Sequence, residues 1–184
     1  MTRTPRARWI EEALRALSDG GPDAVRIESL ARALGVTKGG FYGFFPDRAA
    51  LLSEMLDTWE REVTREVIAR VEHAGGDART RLRRLFAIVE TGEGLTTGIT
   101  TDLAIRAWAR HDTGVAERLR RVDNVRMDYL RSLFGAICPD PDDAEARCVL
   151  VFTSWIGRHF LAADHAGRTR AELMGLAMRR LLLA

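Results

Sequence analysis

A chain of 184 residues that is 46% hydrophobic and 29% charged has the make-up of a globular protein, as one domain or a small domain joined to a larger one. Its longest uncharged apolar stretch, residues 148–157, is about half of the ~20 residues that a membrane-spanning helix needs, which argues against a membrane partner. The net charge of +2 lies in the first quarter: residues 1–48 hold 8 basic and 6 acidic side chains, and Arg3, Arg6 and Arg8 precede any acid. A basic end on a neutral body suits a polyanionic partner.

Period-two alternation is nearly absent, whereas apolar residues recur at i, i+3 and i+4 throughout, so the expected fold is all-α with about nine helices. The first covers residues 5–18, with Trp9, Ile10, Ala13, Leu14 and Leu17 on one face and Pro5 in its opening turn. Residues 19–23 (DGGPD) stop it. A short helix over 27–34 ends at Gly35, and Thr37 is the expected N-cap of another over 38–44. Pro46 closes that element and Asp47 caps a long helix over 48–73.

Gly75 and Gly76 break the chain, and Asp77 can cap a helix over 78–91. A Gly- and Thr-rich loop over 92–101 leads to helices over 102–110 and 115–136. Asp140 and Pro141 open the next helix, which is expected to reach residue 163. Thr169 and Glu172 have the spacing of a capping box at the start of a last helix that ends near residue 183.

Two short helices joined by a Gly-containing turn make a helix-turn-helix, whose second helix enters the DNA major groove. Here that second helix carries Gly39 and Gly40, with Gly43 close behind, each costing roughly 1 kcal/mol relative to alanine. Phe41, Phe44 and Phe45 offer an apolar face to dock on the preceding helices. The opposite face is nearly bare backbone beside Lys38, and glycine permits close backbone approach to a ligand.

Residues 9–55 resemble the DNA-binding domain of the tetracycline-repressor (TetR) family. The resemblance is carried by Ile10, Ala13 and Leu14, by Leu30-Ala31 and by Gly35-Val36-Thr37-Lys38-Gly39. Phe41-Tyr42, Phe45, and Asp47-Arg48 ahead of Leu51-Leu52 complete it. It implies a DNA-binding domain over residues 1–47 and a ligand-binding and dimerisation domain over 48–184. It also implies a cytoplasmic transcriptional regulator, a homodimer reading a palindromic double-stranded DNA operator, most simply a repressor released by a small-molecule effector.

Carried onto this chain, Thr37, Lys38, Gly39 and Gly40 would lie at the groove, with Tyr42 and Arg48 on phosphates. Arg26, where Ser or Thr often caps in the family, is expected to contact phosphate as well. Lys38 is the candidate for a base-edge contact, since lysine can donate to guanine O6 and N7. The arginine arm at residues 3–8 could reach an adjacent groove or be a solvated terminus.

In this family the middle helices usually enclose the effector and the last two pair across the dimer. Trp59, Phe86, Glu90, Trp108, His111, Met127 and Trp155 are the candidate lining residues, an apolar set with a few polar groups. Phe152, Ile156 and Phe160, with Leu173, Leu176 and Ala177, are the candidate dimer contacts. The helix from Pro141 is apolar on more than one face and must be covered from several sides.

An enzyme reading has little support. The four histidines show no H-x-x-x-H spacing, Cys138 and Cys148 match no metal or redox pattern, and no Gly-rich phosphate loop follows a strand. No catalytic residue, cofactor or metal is expected. The rival class is a helical small-molecule-binding or scaffolding dimer without specific DNA binding.

Overall fold

The structure, a computed structural model, describes residues 5–92, 94–165 and 167–182. It is all-helical. Nine helices follow in order among the described residues: α1 (Arg6–Gly20), α2 (Ile27–Ala33), α3 (Lys38–Tyr42), α4 (Arg48–Arg61, continuing through a π-helical turn at Glu62–Glu66 into Val67–His73), α5 (Ala78–Thr91), α6 (Ile99–Ala109), α7 (Thr113–Gly135), α8 (Pro141–Gly157) and α9 (Arg170–Leu182). A 3₁₀ turn at Pro22–Ala24 joins α1 to α2. No helix among the described residues is long and apolar enough to cross a membrane.

The chain forms two compact units. One takes the residues up to Arg70 together with Leu85–Asp123; the other takes Val71–Arg84 and the residues from Asn124 onward. The core of the first is built on α1, whose Trp9, Ile10, Ala13, Leu14 and Leu17 are all buried, as their shared face requires. Leu30, Ala31, Phe41, Phe45, Leu51, Met55, Trp59 and Ile105 are among the residues buried with it. In the second unit α8 packs on α9. Leu130, Leu133 and Phe134 of α7 are buried there with Ala144, Cys148 and Val151 of α8.

The caps follow side-chain chemistry. Ala50 N–H donates to Asp47 Oδ1 at 2.8 Å, Thr80 N–H to Asp77 Oδ1 at 2.8 Å, and Asp142 N–H to Asp140 Oδ1 at 3.0 Å. The capping box forms reciprocally: Thr169 N–H donates to Glu172 Oε2 at 2.7 Å and Glu172 N–H to Thr169 Oγ1 at 3.2 Å.

Several boundaries differ from expectation for identifiable reasons. Thr37 occupies the N-cap of α3, but its side chain makes no cap bond; the backbone bond from Gly40 N–H to Thr37 O takes that role. α3 stops at Tyr42, two residues early, with Gly43 at its C-cap, and Phe44 N–H and Phe45 N–H both donate to Phe41 O, at 2.9 and 3.1 Å. α8 ends at Gly157 rather than residue 163, so Phe160 falls in the turn beyond the helix. There the Arg170 guanidinium donates to Leu161 O at 2.6 Å and holds that turn. α6 begins at Ile99, three residues early, with Gly98 at its N-cap. The long fourth helix is interrupted by the π turn, which periodicity does not reveal.

Candidate nucleic-acid interface

The turn between α2 and α3 is set by Gly35, whose φ of 68° lies in the left-handed region. Val36 N–H donates to Ala31 O at 2.9 Å and Gly35 N–H to Arg32 O at 3.1 Å, the paired closing bonds of a Schellman motif. α2 therefore ends sharply and the chain turns into α3.

α3 is anchored from below by aromatic packing. Phe41 is fully buried, stacked on Phe45 at 5.3 Å between centroids and edge-on to Trp9 at 5.4 Å. This floor holds a helix that its glycines would not sustain alone. Above it, Thr37, Lys38, Gly39, Gly40 and Tyr42 are all exposed, Tyr42 by 53%. A Cβ built at Gly40 would meet nothing within 4 Å, and one at Gly39 only Thr37 Oγ1 at 3.8 Å. Neither glycine has a positive φ. Packing within the chain thus does not demand glycine at either position.

The charged groups around this face are partly engaged. Lys38 Nζ donates to Glu28 Oε1 across the turn, both side chains being at least half exposed. That bond raises the Lys38 ammonium above its ordinary pKa and holds the Glu28 carboxyl below the usual range. Arg26 Nε donates to Asp23 O at 2.9 Å.

Arg48, expected on phosphate, is half-buried: its Nε donates to Val25 O at 2.6 Å and its Nη2 to Pro22 O. The reason is positional. Arg48 opens α4 beside the 3₁₀ turn, where Pro22 O, already accepting from Val25 N–H at 3.2 Å, takes the guanidinium as a second donor.

Of the arginine arm, Arg3 lies outside the described residues. Arg6 is held by the body: its Nε donates to Glu54 at 2.8 and 3.0 Å, its Nη1 to Phe44 O at 2.6 Å, and its guanidinium sits 4.5 Å over the Phe45 ring. Arg8 stands 3.7 Å from Glu11.

The expected effector residues are dispersed in character. Trp59 is fully buried in the first unit's core and Trp108 packs half-buried against the same cluster. Phe86 in that unit and Met127 in the second are half-buried, while Glu90 and His111 are exposed. Trp155, in the second unit, lies 6.1 Å from Phe152 and has the Arg126 guanidinium 5.4 Å over its ring.

A groove of about 430 Å³ opens elsewhere, beside α8 and α9, lined by Ser154, Gly157, Leu173, Met174 and Ala177 among others. Leu173 and Ala177 are thus shared with the expected dimer contacts. Phe152, Ile156 and Leu176 are half-buried, and Val149, Leu150, Phe160 and Leu161 are exposed by 44%, 50%, 69% and 52%.

Sequence reasoning missed the buried polar groups of the first unit. Glu62, in the π turn and 6% exposed, accepts from Thr97 N–H at 2.9 Å and from Thr97 Oγ1 at 2.8 Å. Arg106 bridges Asp102 at 2.8 Å and Asp123 at 2.7 and 2.8 Å. A signal existed for Glu62: it falls at i+7 and i+3 on the stripe of Met55 and Trp59, a charged residue at an apolar position. No group of acids, histidines and cysteines that could hold a metal occurs among the described residues.

A short exposed helix set on an aromatic floor by a tight turn, ahead of an all-helical body, is the arrangement of helix-turn-helix transcriptional regulators. Comparison with known proteins agrees. The sequence model of the family described as "Bacterial regulatory proteins, tetR family" matches residues 10–55. An HTH-type transcriptional regulator of Bacillus subtilis (strain 168), YuxN, is 30% identical over 81 residues, 44% of this chain and 27% of that protein, so the match spans about a quarter of its length.

Among solved structures, a transcriptional regulator of Pseudomonas aeruginosa PAO1 aligns with a TM-score of 0.67 at 17% identity, covering 97% of this chain and 90% of that one. A TetR/AcrR-family regulator of Thermobifida fusca aligns with a TM-score of 0.63 at 18% identity, covering 96% of each chain. These structural likenesses are of fold. Residues 10–55 thus match the TetR family of bacterial regulatory proteins, and the chain as a whole shares its fold with solved transcriptional regulators.

Proposed function

We propose that the protein is a ligand-responsive DNA-binding transcriptional regulator, acting in the cytoplasm as a homodimer on a palindromic operator. It represses, and a small apolar or amphipathic effector releases it. Residues 1–47 bind DNA; residues 48–184 hold the effector and the dimer contacts. It is not an enzyme and needs no cofactor.

The single observation that carries this reading is the outer face of α3. Gly39 and Gly40 cost roughly 1 kcal/mol each in helix stability, and nothing inside the chain fills the space they leave. Their use lies outside the molecule, where backbone must come close to a surface. With Lys38 and Tyr42 exposed beside them, that surface is the wall of a major groove. Tyr42 and Arg26 bind phosphate. Arg48 is assigned a different task, bracing the turn ahead of α2 so that α2 and α3 keep their angle.

The effector acts through α4, with Trp59, Phe86, Glu90, Trp108 and His111 of the first unit as the proposed lining. Supporting this is the π turn in mid-helix, a geometry frequent at functional sites. Its Glu62 is bonded to Thr97 in the loop ahead of α6, so a shift of that loop is felt by α4. A small change in α4 alters the spacing of two recognition helices, and both half-sites must be met together.

The test is a gel shift with DNA flanking the protein's own gene, over a range of salt. Retarded DNA at a salt concentration that releases random duplex is the expected result. Equal binding to both at every salt concentration contradicts the reading and favours a helical dimer without specific DNA binding.

A further inference from the structure

Glu28 is an acid on the face proposed to meet a polyanion, and its partner is Lys38, the one lysine of the chain. Phosphate repulsion makes an exposed carboxylate there costly. Bases also repel it in most registers, because the major groove presents only two donors, the amino groups at cytosine N4 and adenine N6. A carboxylate is therefore tolerated opposite an amino group and rejected opposite guanine O6 or thymine O4.

The two side chains are not independent. They meet end to end across the α2–α3 turn, so a donor and an acceptor stand one hydrogen bond apart on the exposed face. The major-groove edge of a G·C pair has the complementary order: acceptors N7 and O6 on guanine, then the donor N4 on cytosine. We propose that Glu28 is a specificity-determining residue, and that the Lys38–Glu28 pair reads a single G·C base pair in each half-site, ammonium on guanine and carboxylate on cytosine. The inference rests on the DNA-binding reading above and names the base pair on which that reading turns.

The pairing has a direction. Inverting the pair to C·G sets the cytosine amino group against the ammonium and guanine O6 against the carboxylate, so both contacts turn repulsive together. An A·T or T·A pair still offers an acceptor beside a donor and is an intermediate substitute. Glutamine at position 28 removes the direction of that contact, because its amide both donates and accepts, and leaves only the ammonium's preference.

The experiment selects a preferred duplex from a random pool with the full-length protein. Each G·C pair of that duplex is then inverted in turn and titrated against the wild type, Glu28→Gln, Lys38→Gln and the double variant at one salt concentration. Both side chains are exposed, so folding is retained; circular dichroism and binding to random duplex monitor it.

The expected result is one symmetry-related position where inversion weakens wild-type binding roughly tenfold to a hundredfold. Glu28→Gln should lose the carboxylate's share of that penalty there and nowhere else, Lys38→Gln the ammonium's share, and the double variant should lose more than either single one. An inversion penalty in Glu28→Gln equal to the wild type at every position overturns the proposal, even if overall affinity rises. If the wild type selects no sequence at all, the DNA-binding reading fails first and the base-pair assignment with it, an outcome distinguishable from the former.

Discussion

The outer face of α3 and the surface of α8 with the turn that follows it differ in what they present to solvent. At α3 the large aromatic groups, Phe41 and Phe45, are buried, and what reaches solvent is glycine backbone, one cation and a phenol. Along α8 and the turn that follows it, Ala144, Arg147, Cys148 and Val151 are buried, and Val149, Leu150, Phe160 and Leu161 stand out. Bare backbone with a cation is poor at excluding water but allows close approach to a phosphate-walled groove. The exposed apolar pairs Val149–Leu150 and Phe160–Leu161 are costly in water and suit an apolar partner. One chain thus carries two surfaces suited to partners of different chemistry, and the second copy of the chain is the partner we propose for α8.

The comparison can be broken most severely at the floor of α3. Phe41→Ala removes a fully buried ring from contact with Trp9 and Phe45 and should cost about 3–5 kcal/mol, read by denaturant unfolding. A loss below ~1 kcal/mol would mean that α3 is held by something other than its aromatic floor. Next in size, Arg48→Met strips charged donors from Val25 O and Pro22 O and should cost about 1.5–3 kcal/mol of stability. Its slope of log affinity against log salt should match the wild type; a slope smaller by about one marks Arg48 as a phosphate ligand instead.

On the α8 side, Phe160→Glu should weaken self-association by about 2 kcal/mol, seen as a shift from dimer to monomer in sedimentation with unchanged circular dichroism. An unshifted dimer would separate Phe160 from the interface. The smallest effect sharpens the junction of α3 with α4: Asp47→Ala removes the bond to Ala50 N–H and should cost about 1 kcal/mol in thermal unfolding.

Much of the helical architecture was legible because it rests on local chemistry. The face of Trp9, Ile10, Ala13, Leu14 and Leu17, the caps at Asp47, Asp77 and Asp140, and the Thr169–Glu172 box each depend on residues within one or two turns. What escaped depends on partners far along the chain. Arg48 turns inward because carbonyls 23 and 26 residues earlier lie beside it. Arg6 is claimed by Glu54, 48 residues on. The π turn at Glu62–Glu66 coincides with a buried carboxylate whose partner, Thr97, sits in a loop 35 residues away. The end of α8 was overrun because apolar residues continue past Gly157 and periodicity alone does not distinguish a helix from the turn that follows it.

The central claim is that paired copies of α3 read DNA. It is tested most directly by selecting duplexes from a random pool with the full-length protein and measuring the mass of the resulting complex by sedimentation. The account predicts an enriched sequence with two-fold symmetry, half-sites about one or a multiple of one helical turn apart, and two chains, or a multiple of two, on each duplex. Enrichment of no sequence, or of an asymmetric one bound by a single chain, would contradict it.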